Sequence, residues 1–108
     1  MNMEVKRIAF KMKLKPGFEA EYKKRHDEIW PELVELIKDS GISDYSIFLD
    51  RETNILFACQ KQTGNLPNLE NISNPVVRKW VDHMADIMEV NPDNTAVEFP
   101  LVELFYLP

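Results

Sequence analysis

The residues best suited to proton chemistry lie at steps of four: Phe18, Tyr22, His26, Trp30 and Val34. On a helix such a row shares one face, so a phenol, an imidazole and an indole line up. Histidine is the side chain whose ordinary pKa lets it give and take protons near neutrality. A tyrosine hydroxyl one turn away can hydrogen-bond a substrate oxygen, and an indole face can pack on a ligand ring. The trio suits a small polyhydroxylated substrate. Its competitor is plain packing, a half-buried histidine held between core aromatics.

The remaining candidates carry less. Trp80 follows the apolar stripe of a second helix and reads as core first and pocket wall second, whereas Tyr45 shares a strand face with Ile47 and Leu49 and fits either role. His83, between Asp82 and Met84, falls off that stripe and reads as solvated. Cys59 reads as a small core residue. Lys23-Lys24-Arg25, flanked by acids, reads as a solvated helix face. Asp27 and Glu28 abut His26, but neighbouring helix positions diverge, so they form no acid/base pair. One cysteine and two histidines argue against a Cys/His zinc site. Three glycines leave no phosphate-cradling loop.

Alternation and breakers set out the elements that must position these groups. Residues 7–14 alternate, with Ile8, Phe10, Met12 and Leu14 on one face, which predicts a strand. After Pro16-Gly17 a helix is expected from Phe18 to about Asp39, kinked near Trp30 by Pro31 and stopped by Ser40-Gly41. Residues 42–50 and 55–63 predict a hairpin across 51–54. Residues 64–74 read as a loop tacked down by Leu66, Leu69 and Ile72. Asn74-Pro75 opens a second helix bearing Val77, Trp80, Val81, Met84, Ile87 and Met88. A last apolar strand is expected over 96–106, with Pro100 placing it at an edge or a bulge.

The order β-α-β-β-α-β is ferredoxin-like, an α+β fold in one domain spanning 1–108. Two helices cover one face of a four-stranded sheet, yet strand two offers apolar residues on both parities, Tyr45/Ile47/Leu49 and Ile42/Phe48. Strand three does the same with Ile55/Phe57/Cys59 and Leu56/Ala58. A twin subunit is the simplest cover for the second face, giving a dimeric α+β barrel.

The 108 residues carry 18 acidic and 13 basic side chains, a net charge of −5, which argues against a nucleic-acid surface. No apolar run reaches the roughly 20 residues of a membrane span, and residues 1–7 lack a signal-peptide core. A single cysteine fits a reducing, cytoplasmic setting.

Several stretches together resemble the L-rhamnose mutarotase family: Glu21-Tyr22-Lys23-Lys24-Arg25-His26 running on to Ile29-Trp30-Pro31-Glu32-Leu33, then Tyr45 to Asp50, Lys79-Trp80 through Met88, Asn91-Pro92-Asp93-Asn94, and Phe105-Tyr106-Leu107-Pro108. The likeness spans essentially the whole chain and is weakest at 64–73. It implies a dimeric, ferredoxin-like enzyme that interconverts the α and β anomers of L-rhamnose without cofactor or metal. By position, His26 corresponds to the catalytic proton donor, Tyr22 and Tyr45 to sugar-binding residues, and Trp80 to the first of a tryptophan pair. Val81 stands where the second tryptophan would be, which leaves open which 6-deoxyhexose is preferred. The resemblance thus implies a small reducing sugar as ligand and a second copy of the chain as partner, with no nucleic acid and no membrane. Two other readings of the frame are a haem-binding or small oxygenase protein, with His26 as axial ligand, and a non-catalytic sugar-binding subunit.

Overall fold

Alternating apolar residues let β1 (Val5–Lys13) bury one face, with Met12 sunk in the core and Lys13 exposed. A computed structural model describes residues 5–63 and 74–108. The expected tacking by Leu66, Leu69 and Ile72 lies outside the described residues. From β1 the chain turns at Gly17, whose φ of +86° favours a residue without a Cβ.

The single kinked helix expected over 18–39 is two helices, α1 (Glu19–Asp27) and α2 (Pro31–Asp39). Pro31 has no N–H for the carbonyl of Asp27 and crowds it, so the break falls just before the proline. Proline then sits at the favoured first position of α2. At the other end of α2, Gly41 takes a φ of +78° and donates to the Lys38 carbonyl at 2.9 Å, the expected stop.

Strands β2 (Ile42–Asp50) and β3 (Ile55–Thr63) form the expected hairpin, and α3 (Pro75–Met84) starts where Asn74 Oδ1 accepts from the backbone N–H groups of Val76 and Val77. The helical run ends sooner than expected. Ala85–Ile87 tighten into a 3-10 turn and Met88 is extended, which drops both Ile87 and Met88 into the core.

The expected strand over 96–106 is reduced to β4, Phe99–Pro100, paired with Lys11 and Phe10 at the edge of β1. Pro100 has no N–H for a ladder, so regular pairing stops there apart from one bond, Leu101 N–H to the Ala9 carbonyl at 2.9 Å. Residues 101–108 are exposed, and Arg7 secures this tail by pairing with Glu103 and lying 3.2 Å above the centre of the Tyr106 ring.

The sheet order β2-β3-β1-β4 is antiparallel throughout. Met12, Leu14, Leu56, Ala58, Met84 and Ile87 form the core on its helix-covered face. A bulge in β2, between Ser43 and Ser46, corrects the parity expected for that strand. One extra residue, with Asp44 at a φ of +47°, shifts Ile42 onto the core face with Ile47 and Leu49. The opposite face carries Phe48, Phe57 and Phe99, at 64, 37 and 41% exposure. Cys59, expected in the core, is exposed on that same outer face, opposite Ser46.

Candidate active site

Helix α1 has no apolar stripe of its own, and Tyr22 is its one buried residue. Side-chain clamps hold it. Glu19 makes a two-pronged pair with Arg51 of the hairpin turn, at 3.0 and 2.9 Å. Arg25 reaches the other way, to the Asp86 carboxylate at 2.8 and 3.3 Å and to the carbonyl of His83, while its Nε donates to Glu21. Arg25 was expected on a solvated face with Lys23 and Lys24. Its side chain is only 13% exposed, and it ties α1 to the end of α3.

These clamps turn the 22/26 face of α1 onto α3. The Tyr22 and His26 rings stack with centroids 4.3 Å apart, and the Trp80 indole meets His26 edge-on at 5.3 Å. The helix break takes Trp30 off the straight row, yet it returns to the group through Trp80, again edge-on at 5.3 Å. His83, expected to be solvated, is exposed but has its ring against Trp30 and Trp80, at 5.7 and 5.8 Å. Trp80 is therefore a wall of the cleft as well as part of the packing.

Tyr22, His26, Tyr45, Trp80 and Val81 all line one open cleft between the helices and the sheet. Trp30, at the helix break, and His83 touch its aromatic wall from behind.

The electrostatics separate the roles. His26 Nδ1 lies 3.0 Å from the Tyr22 carbonyl oxygen. A carbonyl only accepts, so Nδ1 carries the proton of the neutral ring and Nε2 keeps a lone pair. Burial pulls the pKa of His26 below its ordinary 6.5, against the smaller opposing effects of that hydrogen bond and of Asp27. The neutral ring is thus the resting form near pH 7. Burial pushes the Tyr22 hydroxyl far above its ordinary value, with a smaller contribution from Tyr45. Although 38% of Tyr45 is exposed, its hydroxyl is the desolvated end: burial pushes its pKa up to about 12, and the charge of Glu98 adds to the shift. Both phenols stay protonated and can donate hydrogen bonds to a ligand without acting as bases.

Among the described residues no three His, Cys, Asp or Glu side chains gather where they could hold a metal ion, and no helix is long and apolar enough to cross a membrane. The residues missed at the sequence level are the clamp of Arg25 and Asp86 and a glutamine pair on the sheet floor, Gln60 and Gln62. For Gln60 a signal existed: it continues the inward parity of Leu56 and Ala58 as a polar residue.

Comparison with known proteins bears on this geometry. A sequence model of the L-rhamnose mutarotase family matches residues 7–107. An L-rhamnose mutarotase of Phocaeicola vulgatus is 59% identical over 103 residues, covering 95% of this chain and 99% of its own. One from Bacteroides thetaiotaomicron is 58% identical over the same shares. The crystal structure of an L-rhamnose mutarotase from Formosa agariphila superposes with a TM-score of 0.89 at 57% identity, covering 95% of this chain and 99% of that one.

Proposed function

The chain belongs to the L-rhamnose mutarotase family, an isomerase family, and from that membership we propose that it interconverts the α and β anomers of L-rhamnose, or of a related 6-deoxyhexose, by proton transfer at His26. The observation that carries the mechanism is the contact of Tyr22, His26 and Trp80 at one wall of the cleft, with Nε2 of His26 left as the acceptor.

Anomer exchange needs a proton removed from the anomeric hydroxyl O1 and one delivered to the ring oxygen O5. Both oxygens are bonded to C1, so one imidazole can serve both. Nε2 takes the O1 proton, the electron pair left on O1 closes to the C1 carbonyl, and the C1–O5 bond breaks with its pair on O5. The imidazolium then donates its proton to O5, which leaves the open-chain aldehyde and a neutral histidine. Rotation about C1–C2 presents the other carbonyl face, and the same steps in reverse close the ring as the other anomer. A positioned acid/base of this kind contributes typically 10²–10⁴-fold. The protonated Tyr22 and Tyr45 orient hydroxyls, while Trp80 packs on the apolar C5-methyl side of the sugar and Val81 leaves extra room beside it.

Saturation-transfer NMR on a panel of reducing sugars tests activity and preference together. Exchange of L-rhamnose or another 6-deoxyhexose is expected to accelerate strongly on adding the protein. No acceleration with any of them sinks the reading and leaves a sugar-binding subunit in its place. Family membership favours this chemistry over a haem or oxygenase use of the same frame.

The protein works as a homodimer with the outer sheet faces opposed. Phe48, Phe57 and Phe99 leave apolar surface on the outer face, and the tail adds Val102, Leu104 and Phe105 at 80% exposure or more, which together call for a cover. Sedimentation of the wild-type chain is expected to give twice the 12.7 kDa chain mass. Phe57→Asp, which buries a charge in that contact, is expected to halve it. A wild-type monomer sinks the proposal.

A further inference from the structure

The floor of the cleft holds a polar group that the acid/base chemistry does not use. Leu56, Ala58 and Gln60 alternate inward along β3; the first two are in the core, and Gln60 is buried as well, at 7% exposure. Its carboxamide oxygen accepts from Gln62 Nε2 at 2.7 Å. No described residue accepts from the Gln60 amide nitrogen, and Gln60 lines the cleft. Exchanging O and N in both side chains changes the labels only: one half of the carboxamide is engaged by Gln62, and the other has no partner among the described residues.

The bulge in β2 explains why Gln60 matters to a ligand. Ser43 pairs with Lys61 and Ser46 with Cys59, so Gln60 lies across from the bulged pair Asp44 and Tyr45. Asp44 bonds Lys61 at 3.0 Å and also borders the cleft. Tyr45 turns inward and lines the cleft with Gln60. A phenol and a half-engaged amide thus share the sheet floor, across the cleft from His26 on α1. A sugar hydroxyl, which both donates and accepts, can take the hydrogen bond that this amide has to offer.

We propose that Gln60, oriented by Gln62, is a specificity-determining residue that hydrogen-bonds one ring hydroxyl of the sugar remote from C1. This rests on the sugar reading of the cleft. With C1 held at the helix wall by His26, the floor meets the far side of the ring, where epimeric sugars differ. A neutral amide brings no charge to balance a phosphate or carboxylate, so a neutral sugar hydroxyl is the ligand group it suits.

The test compares L-rhamnose with its 2-, 3- and 4-deoxy analogues on wild type, Gln60→Leu and Gln62→Met, by saturation-transfer NMR. With the wild type, one analogue is expected to lose about tenfold in kcat/KM, the worth of one good hydrogen bond. Gln60→Leu is expected to lose about the same on L-rhamnose and nothing further on that one analogue. The loss is expected in KM more than kcat, because a remote hydroxyl is held alike in ground and transition states. Gln62→Met, which frees the carboxamide to rotate, is expected to shift selectivity the same way by less, and it carries the test if Gln60→Leu does not fold. Wild-type selectivity in both variants overturns the role of Gln60 while the mutarotase reading stands. A wild-type chain that accelerates no sugar overturns both.

Discussion

His26→Ala is expected to lower the catalysed rate of L-rhamnose anomer exchange by about 10²–10⁴-fold, the usual contribution of a positioned acid/base group. The expectation follows from the geometry around one ring. Nδ1 is occupied by the Tyr22 carbonyl, Tyr22 stacks on one face, and Trp80 meets the ring edge-on. The imidazole is therefore fixed in tautomer and in plane, and its remaining nitrogen can cycle a proton near neutrality on the cleft side, whereas His83 touches the aromatic wall without lining the cleft. Neither phenol can replace it, since burial raises the pKa of both. Added imidazole is expected to restore part of the lost rate by entering the vacated space. The pH profile supplies an independent reading. Burial lowers the pKa of His26, so the base is present at and above neutrality, and the wild-type rate is expected to stay level there and to fall as the pH drops below the ordinary 6.5. A rate that rises on acidification, or an Ala variant with the wild-type rate, sinks the assignment. The same shift gives a stability effect of definite sign. The folded state resists protonating this ring more than the unfolded chain does, so the contribution is intact above 6.5 and is lost as the pH falls.

Leu56→Ala is expected to cost about 2–5 kcal/mol of folding stability, the range for emptying a well-packed core site. Leu56 is 2% exposed at the centre of the sheet, opposite Met12 on one side and Leu49 on the other. Strands on both flanks hold the backbone in register, which limits how far the site can collapse, so the upper part of the range applies. Urea unfolding of both proteins at one fixed chain concentration measures it, the concentration being held because the proposed dimer would add to apparent stability. A change below about 1 kcal/mol would show that the surroundings close over the gap after all. Because Leu56 also lines the cleft, a weakened sugar KM is expected to accompany the loss.

Much of the molecule was legible from local chemistry. Strands β2 and β3 begin and end where alternation and the polar 51–54 connection place them. Asn74-Pro75 opens α3 and Ser40-Gly41 closes α2 because caps and left-handed glycines act within a few residues. Tyr22 and His26 meet as their spacing on one turn predicts, and Trp80, singled out by the family likeness, packs against His26. The C-terminal segment was not legible. Its apolar residues suggest a strand, but Pro100 halts the ladder and the tail stays exposed, held to β1 by Arg7.

By itself, then, the amino-acid order determined which residues could do the chemistry, where β2 and β3 start and stop and where α3 begins, and that one sheet face would be left apolar. These are properties of neighbours in the chain, set by backbone sterics, periodicity and caps. Only the tertiary structure decided which nitrogen of His26 carries its proton, since that depends on where the Tyr22 carbonyl points. It also decided that Arg25 is a clamp rather than a solvated charge, because Asp86 is 61 residues away in sequence. The bulge in β2 belongs to the same class. A one-residue slip of register is invisible to a period of two, yet it brings Ile42 into the core and sets Tyr45 beside Gln60 on the floor of the cleft.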